Sequence, residues 1–241
     1  MAELVTLEKV KKNREIRALI DAANRNLENM GYTEHGVRHV GYVSKTTANI
    51  LKELGYDDRT VEVGAITGWI HDIGNAINRK HHGLSGATLA FSLLTRMRMD
   101  MEEIATVIGA VGNHEEETGV PVSAVSAALI IADKSDAHRS RVRKNNFDYG
   151  DIHDRVNMSI KKNYLAVDKE KHKIRLVIIM DESSALMEYL QIYLSRMILS
   201  EKAAGFLGYT FELVINGAVI NRQSHVSSIT LKPTETEVSE D

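Results

Sequence analysis

Apolar positions in the first 140 residues recur at three- and four-residue intervals, the spacing that gives a helix one buried face. From about Leu4 to Met30, Leu7, Val10, Leu19, Ile20, Ala23 and Leu27 predict a first helix, with Gly31 as its stop. Val37 to Leu54 predicts a second, with Val40, Val43, Thr47, Ile50, Leu51 and Leu54 inward and Gly55 at its end. Asp58 is placed to cap a third through Val61, Val63, Ile66 and Ile70. Leu84 to Met97 reads as a fourth helix. Asp100 and Glu103 have the spacing of a capping box ahead of Ile104, Val107, Ile108 and Val111, and Ser123 opens an alanine-rich helix from Ala124 to Ala137.

After about Asp154 the pattern changes. Tyr164-Leu165-Ala166-Val167, a charged turn from Asp168 to Lys171, and Ile174 to Met180 predict a β-hairpin. Ser183 or Ser184 then starts a long helix ended by Gly205 or Gly208. Its Leu186, Leu190, Leu194, Met197 and Ile198 form a stripe expected to pack on its own sheet. Tyr209 to Ile215 is one more strand, and Ser224 to Asp241 reads as a polar, acidic tail. The expected fold is therefore mainly α: a helical domain over residues 1–150, a small α+β unit of hairpin, helix and strand over 151–223, and a tail over 224–241.

Composition narrows the chemistry. The absence of cysteine excludes disulfides and thiolate metal sites. With Met1-Ala2-Glu3 leading into a charged amphipathic segment rather than an apolar leader, it predicts the cytoplasm. No run is apolar enough for a bilayer, and a net charge of −3 argues against a general nucleic-acid binder. Against that plain background stands Trp69-Ile70-His71-Asp72-Ile73-Gly74-Asn75, an imidazole and a carboxylate side by side at the end of a predicted helix. His39 precedes it, and His82, His114 and Asp133 follow. Asp133 lies inside an apolar helix, where a charge is costly unless a cation compensates it.

His39, then His71-Asp72, then Asp133, in that order along a helical bundle, resembles the ligand set of the HD superfamily of metal-dependent phosphohydrolases. The likeness covers about residues 30 to 145, with Gly74 after the doublet and Glu53-Leu54-Gly55 after the first histidine also fitting. His35, four residues before His39, is then expected behind that ligand or facing substrate. Members with two metals add two further histidines, and His82 and His114 fall at those places. Asn113 stands where the cyclic-dinucleotide phosphodiesterase branch has histidine, Val120 where it has tyrosine, and Asn75 where it has lysine, all of which argue against that substrate.

The resemblance implies hydrolysis of a phosphomonoester, phosphodiester or nucleotide by a metal-bound hydroxide, at a site of one or two divalent ions. Imidazole and carboxylate ligands suit iron, manganese, zinc, cobalt or nickel, with magnesium a further candidate. Asp72 would be shared between two ions. Lys134 is the expected catalytic cation, and His35, Asn75, Lys134 and Arg139 are the expected substrate contacts, with Arg141 and Arg143 as further candidates for phosphate oxygens. Two other functions share the scaffold: a nucleotide-sensing module without turnover, and a di-iron oxygenase. The second unit is assigned either closure over the bundle, ligand binding or homodimer formation. His153-Asp154 repeats the dipeptide outside the helical pattern and is read as coincidence.

Overall fold

A computed structural model describes residues 4–143 and 147–221. The predicted tail at 224–241 lies outside them. The helical part comprises α1 (Leu7–Lys12), α2 (Arg14–Asn29), α3 (Val37–Glu53), α4 (Asp58–Ile70), α5 (His82–Arg96), α6 (Met101–Gly112) and α7 (Ala124–Lys134). Short 3-10 turns at Ile73–Ala76 and Arg139–Arg141 follow α4 and α7. The remainder is α8 (Ile152–Ser159), β1 (Ile160–Asp168), β2 (Lys173–Met180), α9 (Leu186–Phe206), β3 (Thr210–Ile215) and β4 (Ala218–Val219). The chain is thus mainly α, with a small α+β unit at its C-terminal end. Among the described residues, no helix is long and apolar enough to cross a membrane.

Several boundaries moved for identifiable reasons. The predicted helix from Leu4 to Met30 is two helices, because the Asn13 side chain accepts from the backbone N–H groups of Glu15 and Ile16 and so starts a new one. Asp57 rather than Asp58 caps α4, accepting from Arg59 and Thr60. Asp100 caps α6 as expected. Glu103 does not complete the box, because its carboxylate takes the Arg59 guanidinium at 2.6 and 2.5 Å. The helix expected to reach Ala137 ends at Lys134. Gly31 and Gly55, at φ +82° and +88°, stop α2 and α3 in the left-handed conformation that glycine adopts freely.

The hairpin forms, with β1 antiparallel to β2 from Ile160↔Met180 to Asp168↔Lys173. Helix α9 is the crossover that returns the chain parallel to β2 as β3, giving the order β1-β2-β3-β4. Only part of the expected stripe on α9 packs inward: Met197 is buried and Leu190 rests against the core. Leu186, Leu194 and Ile198 are exposed, whereas Tyr189, Tyr193, Met197, Ser200, Ala203 and Ala204 are buried. Small residues let the helix approach closely at one end, and the two tyrosine rings stack at 4.7 Å at the other.

The buried core has two parts. One gathers Ile16, Ile20, Val63, Trp69, Ile70, Leu94, Ile104 and Val111 from α2, α4, α5 and α6. The other runs from Val43, Ile50 and Leu51 of α3 through α7 to Ile174, Leu176 and Ile178 of β2, Leu213 of β3, and α9. Hydrophobic packing therefore continues past residue 150. Six consecutive residues of α7, Ala127 to Ala132, are buried, so this helix has no solvent face at mid-length.

Helices α3 and α4 touch at Gly68, where an added Cβ would lie 2.7 Å from the Ser44 Cα and 2.8 Å from its N. Backbone cannot yield as a side-chain tip can. Gly68→Ala is expected to destabilise the protein by about 1–3 kcal/mol. Gly205→Ala, in open space on α9, should be neutral or stabilising by up to about 1 kcal/mol. Urea unfolding midpoints of the two variants check the pair, and equal midpoints would contradict the close approach.

Candidate metal centre

The ends of five helices bring the predicted ligands to one place. His39 lies in the first turn of α3, His71 and Asp72 directly follow α4, and His82 opens α5. His114 follows α6, and Asp133 is the penultimate residue of α7. The 3-10 turn after Asp72 seats against the start of α5 so closely that a Cβ at Gly74 would lie 1.9 Å from the His82 carbonyl oxygen. Glycine is therefore required at the position that joins the two histidines.

Ligand bonds of about 2.0–2.2 Å place neighbouring donor atoms of one ion about 3.0–3.6 Å apart. The observed separations match. Asp72 Oδ2 lies 3.6 Å from both His39 Nε2 and His71 Nε2, and Asp133 Oδ1 lies 3.4 and 3.6 Å from the same two nitrogens. The other Asp72 oxygen, Oδ1, is 3.3 Å from His82 Nε2 and 3.7 Å from His114 Nε2. One carboxylate thus faces two groups of donors, His39 and His71 on one side and His82 and His114 on the other.

The hydrogen bonds on the far side of each ring fit metal ligation. Nδ1 of His71, His82 and His114 meets the carbonyl oxygen three residues earlier, at Gly68, Arg79 and Val111, over 2.9, 3.0 and 2.6 Å. His39 Nδ1 meets Asp136 Oδ2 at 2.6 Å. A proton on each Nδ1 leaves each Nε2 as a lone pair aimed at the centre. Nε2 of His39 and of His71 is buried without a hydrogen-bond partner, and the Nε2 atoms of His82 and His114 face each other at 3.1 Å. Lone pairs so placed are unfavourable unless a cation sits among them. These buried groups could hold a metal ion.

The carboxylates are correspondingly charged. Burial works against the Asp72 anion, but His71, His114 and His82 outweigh it and hold its pKa well below the usual range. Asp133 is likewise lowered against burial, by Lys134, His39 and His71. Burial lowers the His114 pKa to about 4. In His71 the nearby Asp72 and Asp133 overcome burial and raise it.

The other predicted contacts separate into two sets. His35 and Lys134 line the cavity beside the centre. His35 Nε2 takes the Arg141 guanidinium at 2.8 Å, and burial with that charge lowers its pKa well below the ordinary imidazole value. Lys134 Nζ is 2.7 Å from Asp133 Oδ2. Asn75 does not line the cavity: its amide is fully buried and donates to the Asp72 backbone oxygen and to Asp72 Oδ1, so it orients that carboxylate. Arg139 also lies away from it, on the outer side of its 3-10 turn, donating to the Ile160 carbonyl while Arg141 turns inward. Arg143 ties Tyr32, Thr33 and Asn24 together. His153-Asp154 falls within α8, contrary to the expected break in helix, and His153 is exposed and paired with Asp151.

Three functional neighbours carry no obvious sequence signal of their own. Asp136 holds His39 and takes Arg38 through two hydrogen bonds of 3.1 and 2.6 Å. Glu115 takes His82 Nδ1 at 2.9 Å and the Gly83 N–H at 2.6 Å. Arg196 reaches the same cavity from α9. Of these, only Asp136 sits where spacing could have pointed to it, three residues after Asp133.

The histidines and both aspartates are thus brought to one place, as their order along the sequence suggested. No family model matches the chain. An uncharacterized protein of Methanocaldococcus jannaschii is 25% identical over 155 residues, 55% of this chain and 59% of that protein. The chain therefore spans about three-fifths of that relative's length. Among solved structures, the crystal structure of a predicted HD superfamily hydrolase from an uncultured Thermotogales bacterium is 26% identical. That likeness covers 52% of this chain and 68% of the other, at a TM-score of 0.42.

Two outcomes follow from the ring geometry. Asp136→Asn, which keeps the shape but weakens the hold on His39, should lower metal affinity about 10–100-fold with the fold intact, measured by competition with a chelator. His114→Ala should lose about one equivalent of metal and keep another. A wild-type protein that never takes up more than one ion would make the centre mononuclear.

Proposed function

We propose that this chain is a metal-dependent phosphohydrolase of the HD type, with His39, His71, Asp72 and Asp133 holding one divalent ion and Asp72, His82 and His114 a second. The observation that carries the reading is the set of four Nε2 lone pairs converging on two charged carboxylates, every ring fixed from behind. Iron, manganese, zinc, cobalt and nickel all suit this donor set. Ions bound there would acidify water and draw charge from a phosphoryl oxygen.

The remaining work falls to the chain. Asp72, locked by Asn75, keeps the two donor groups at a fixed separation. Lys134 sits beside Asp133 on the cavity side and could donate to a phosphate oxygen there. Arg141, buried and fixed by the Asp136 carbonyl and His35, keeps positive charge at the opposite wall. In the net reaction the water oxygen bonds to phosphorus, the phosphorus–oxygen ester bond breaks, and the proton ends on the leaving oxygen. Substrates on this reading are small phosphate esters taken into a cavity of about 580 Å³.

A phosphate-release assay over a library of esters and nucleotides, with the protein loaded in turn with each metal, tests the reading. Asp72→Ala should abolish release and His71→Ala should lose metal, both with helical content retained by circular dichroism. His153→Ala should match wild type in metal content and rate. Loss of metal on changing His153, with the Asp72 variant still active, would place the site at the wrong His-Asp pair. Oxygen consumption in place of phosphate release would point to the oxygenase chemistry instead.

A further inference from the structure

The cavity beside the metal centre has an unusual wall for a site that takes an organic molecule. Five cationic side chains line it, Arg79, Lys80, Lys134, Arg141 and Arg196, together with five carboxylates and no aliphatic side chain. The single non-histidine aromatic ring, Tyr32, is already engaged by Arg79, whose guanidinium lies 5.4 Å from the ring centre. Ligand pockets for nucleobases or acyl groups present apolar and aromatic surface to them. Here no such surface is available.

Arg196 differs from the other cations in what it leaves free. Its Nε is 2.8 Å from Glu116 Oε1, its guanidinium stands 4.9 Å from the Tyr193 ring centre, and Ser195 Oγ fixes the other Glu116 oxygen at 3.0 Å. The arginine is thus paired by charge at one edge, without a hydrogen bond at Nε, and packed on one face. Neither Nη has a hydrogen-bond partner among the described residues, and the group lines the cavity. Arg141, by contrast, spends its donors on the Asp136 and Glu34 carbonyls and on His35. A guanidinium with a free pair of Nη groups, pre-oriented in a polar cavity, matches the two oxygens of a phosphate or carboxylate. Contacts of 2.8, 3.9 and 2.7 Å lead from Arg196 through Glu116 and Lys134 to Asp133, so this anion position and the metal centre share one small chamber.

We propose that Arg196 forms a second anion subsite opposite the metal centre, so that the substrate is a compact molecule with two anionic groups, a diphosphate or a phosphate bearing a nearby second anion, and no base. This rests on the phosphohydrolase reading and narrows it. It also makes α9, from the C-terminal unit, the determinant of substrate choice. Charge supports the class: Asp72 and Asp133 are placed as metal ligands, so loading divalent ions leaves the chamber positive.

Binding to manganese-loaded protein, followed by calorimetry with non-hydrolysable probes, tests it. Wild type should bind methylenediphosphonate at least about tenfold more tightly than methylphosphonate, as one charge-assisted pair would supply. Arg196→Gln should erase that preference and leave methylphosphonate within about threefold of wild type. Arg139→Gln, an arginine lost on the outer side of its 3-10 turn and away from the cavity, should keep the preference. A phosphonate analogue of adenosine monophosphate should bind no better than methylphosphonate. An unchanged preference in Arg196→Gln, or an equal loss in Arg139→Gln, would overturn the subsite and give Arg196 a packing role only. Tight binding of the adenosine probe would overturn the compact substrate. Methylphosphonate bound without any preference for the diphosphonate falls on the subsite alone, whereas no binding of any phosphonate overturns both the subsite and the phosphohydrolase reading beneath it.

Discussion

The bonds behind the imidazoles constrain this architecture more than any others. A buried neutral histidine can present a lone pair at one nitrogen only if the other gives its proton to a defined acceptor. The last turn of a helix supplies such acceptors without further residues, because its carbonyls have lost their intrahelical donors. His71 and His114 use this directly, each bonding a carbonyl in the final turn of the helix it follows, at Gly68 and Val111. His39 cannot do so. It sits at the start of α3, where the carbonyl three residues back, Gly36, already accepts from Val40. A side-chain acceptor is needed instead, and Asp136 provides it. The position of each histidine relative to its helix thus decides whether the backbone or a distant carboxylate must complete it.

The same constraint explains how much of the site was legible. The doublet was legible as the end of a helix visible from its apolar periodicity, whereas His82 and His114 were picked out by the resemblance to two-metal members of the HD superfamily. Asp133 was legible through its cost, a carboxylate in an apolar helix. Glu115 and Arg196 were not. Their roles depend on which helix ends meet, and periodicity within a segment does not contain that. Asn75 and Arg139 show the reverse error. Both lie within a few residues of side chains that line the cavity, but the 3-10 turns that carry them rotate neighbouring side chains to different sides.

Fold class followed from the change of period after Asp154, and the hairpin and crossover helix formed where expected. The face of α9 did not, because the hydrophobic pattern there is misleading. Leu186, Leu194 and Ile198 lie outward, while Tyr189, Tyr193, Ser200, Ala203 and Ala204 lie inward with Met197 and Leu199. Close packing of the lower half of the helix favours small residues over apolar ones, and Ser200 satisfies its hydroxyl on the Arg196 carbonyl. Its upper half buries the phenol rings as volume, with the Tyr193 hydroxyl donating to Asn157.

That inversion has a consequence for the site. Turning the tyrosine face inward also brings Arg196, three residues after Tyr193, onto the cavity wall, where a stripe of leucine would have offered nothing to an anion. An arginine at such a depth is costly by burial alone, yet its pKa is raised, because Glu116 and other negative groups outweigh the loss of water. Glu116 is lowered in return, by Arg196 and then Lys134, after burial is overcome. The loop between α6 and α7 that carries Glu116 is pressed against α9. A Cβ at Gly119 would lie 2.2 Å from the Glu115 carbonyl oxygen and 3.1 Å from Leu199 Cδ2. The residues on either side of this loop are His114, which faces Asp72, and α7, which ends in Asp133 and Lys134. Packing on α9 therefore bears, through one short loop, on both ends of the segment that contributes His114 and Asp133, two of the six predicted ligands, and the C-terminal unit reaches the candidate site although it supplies none of those six itself.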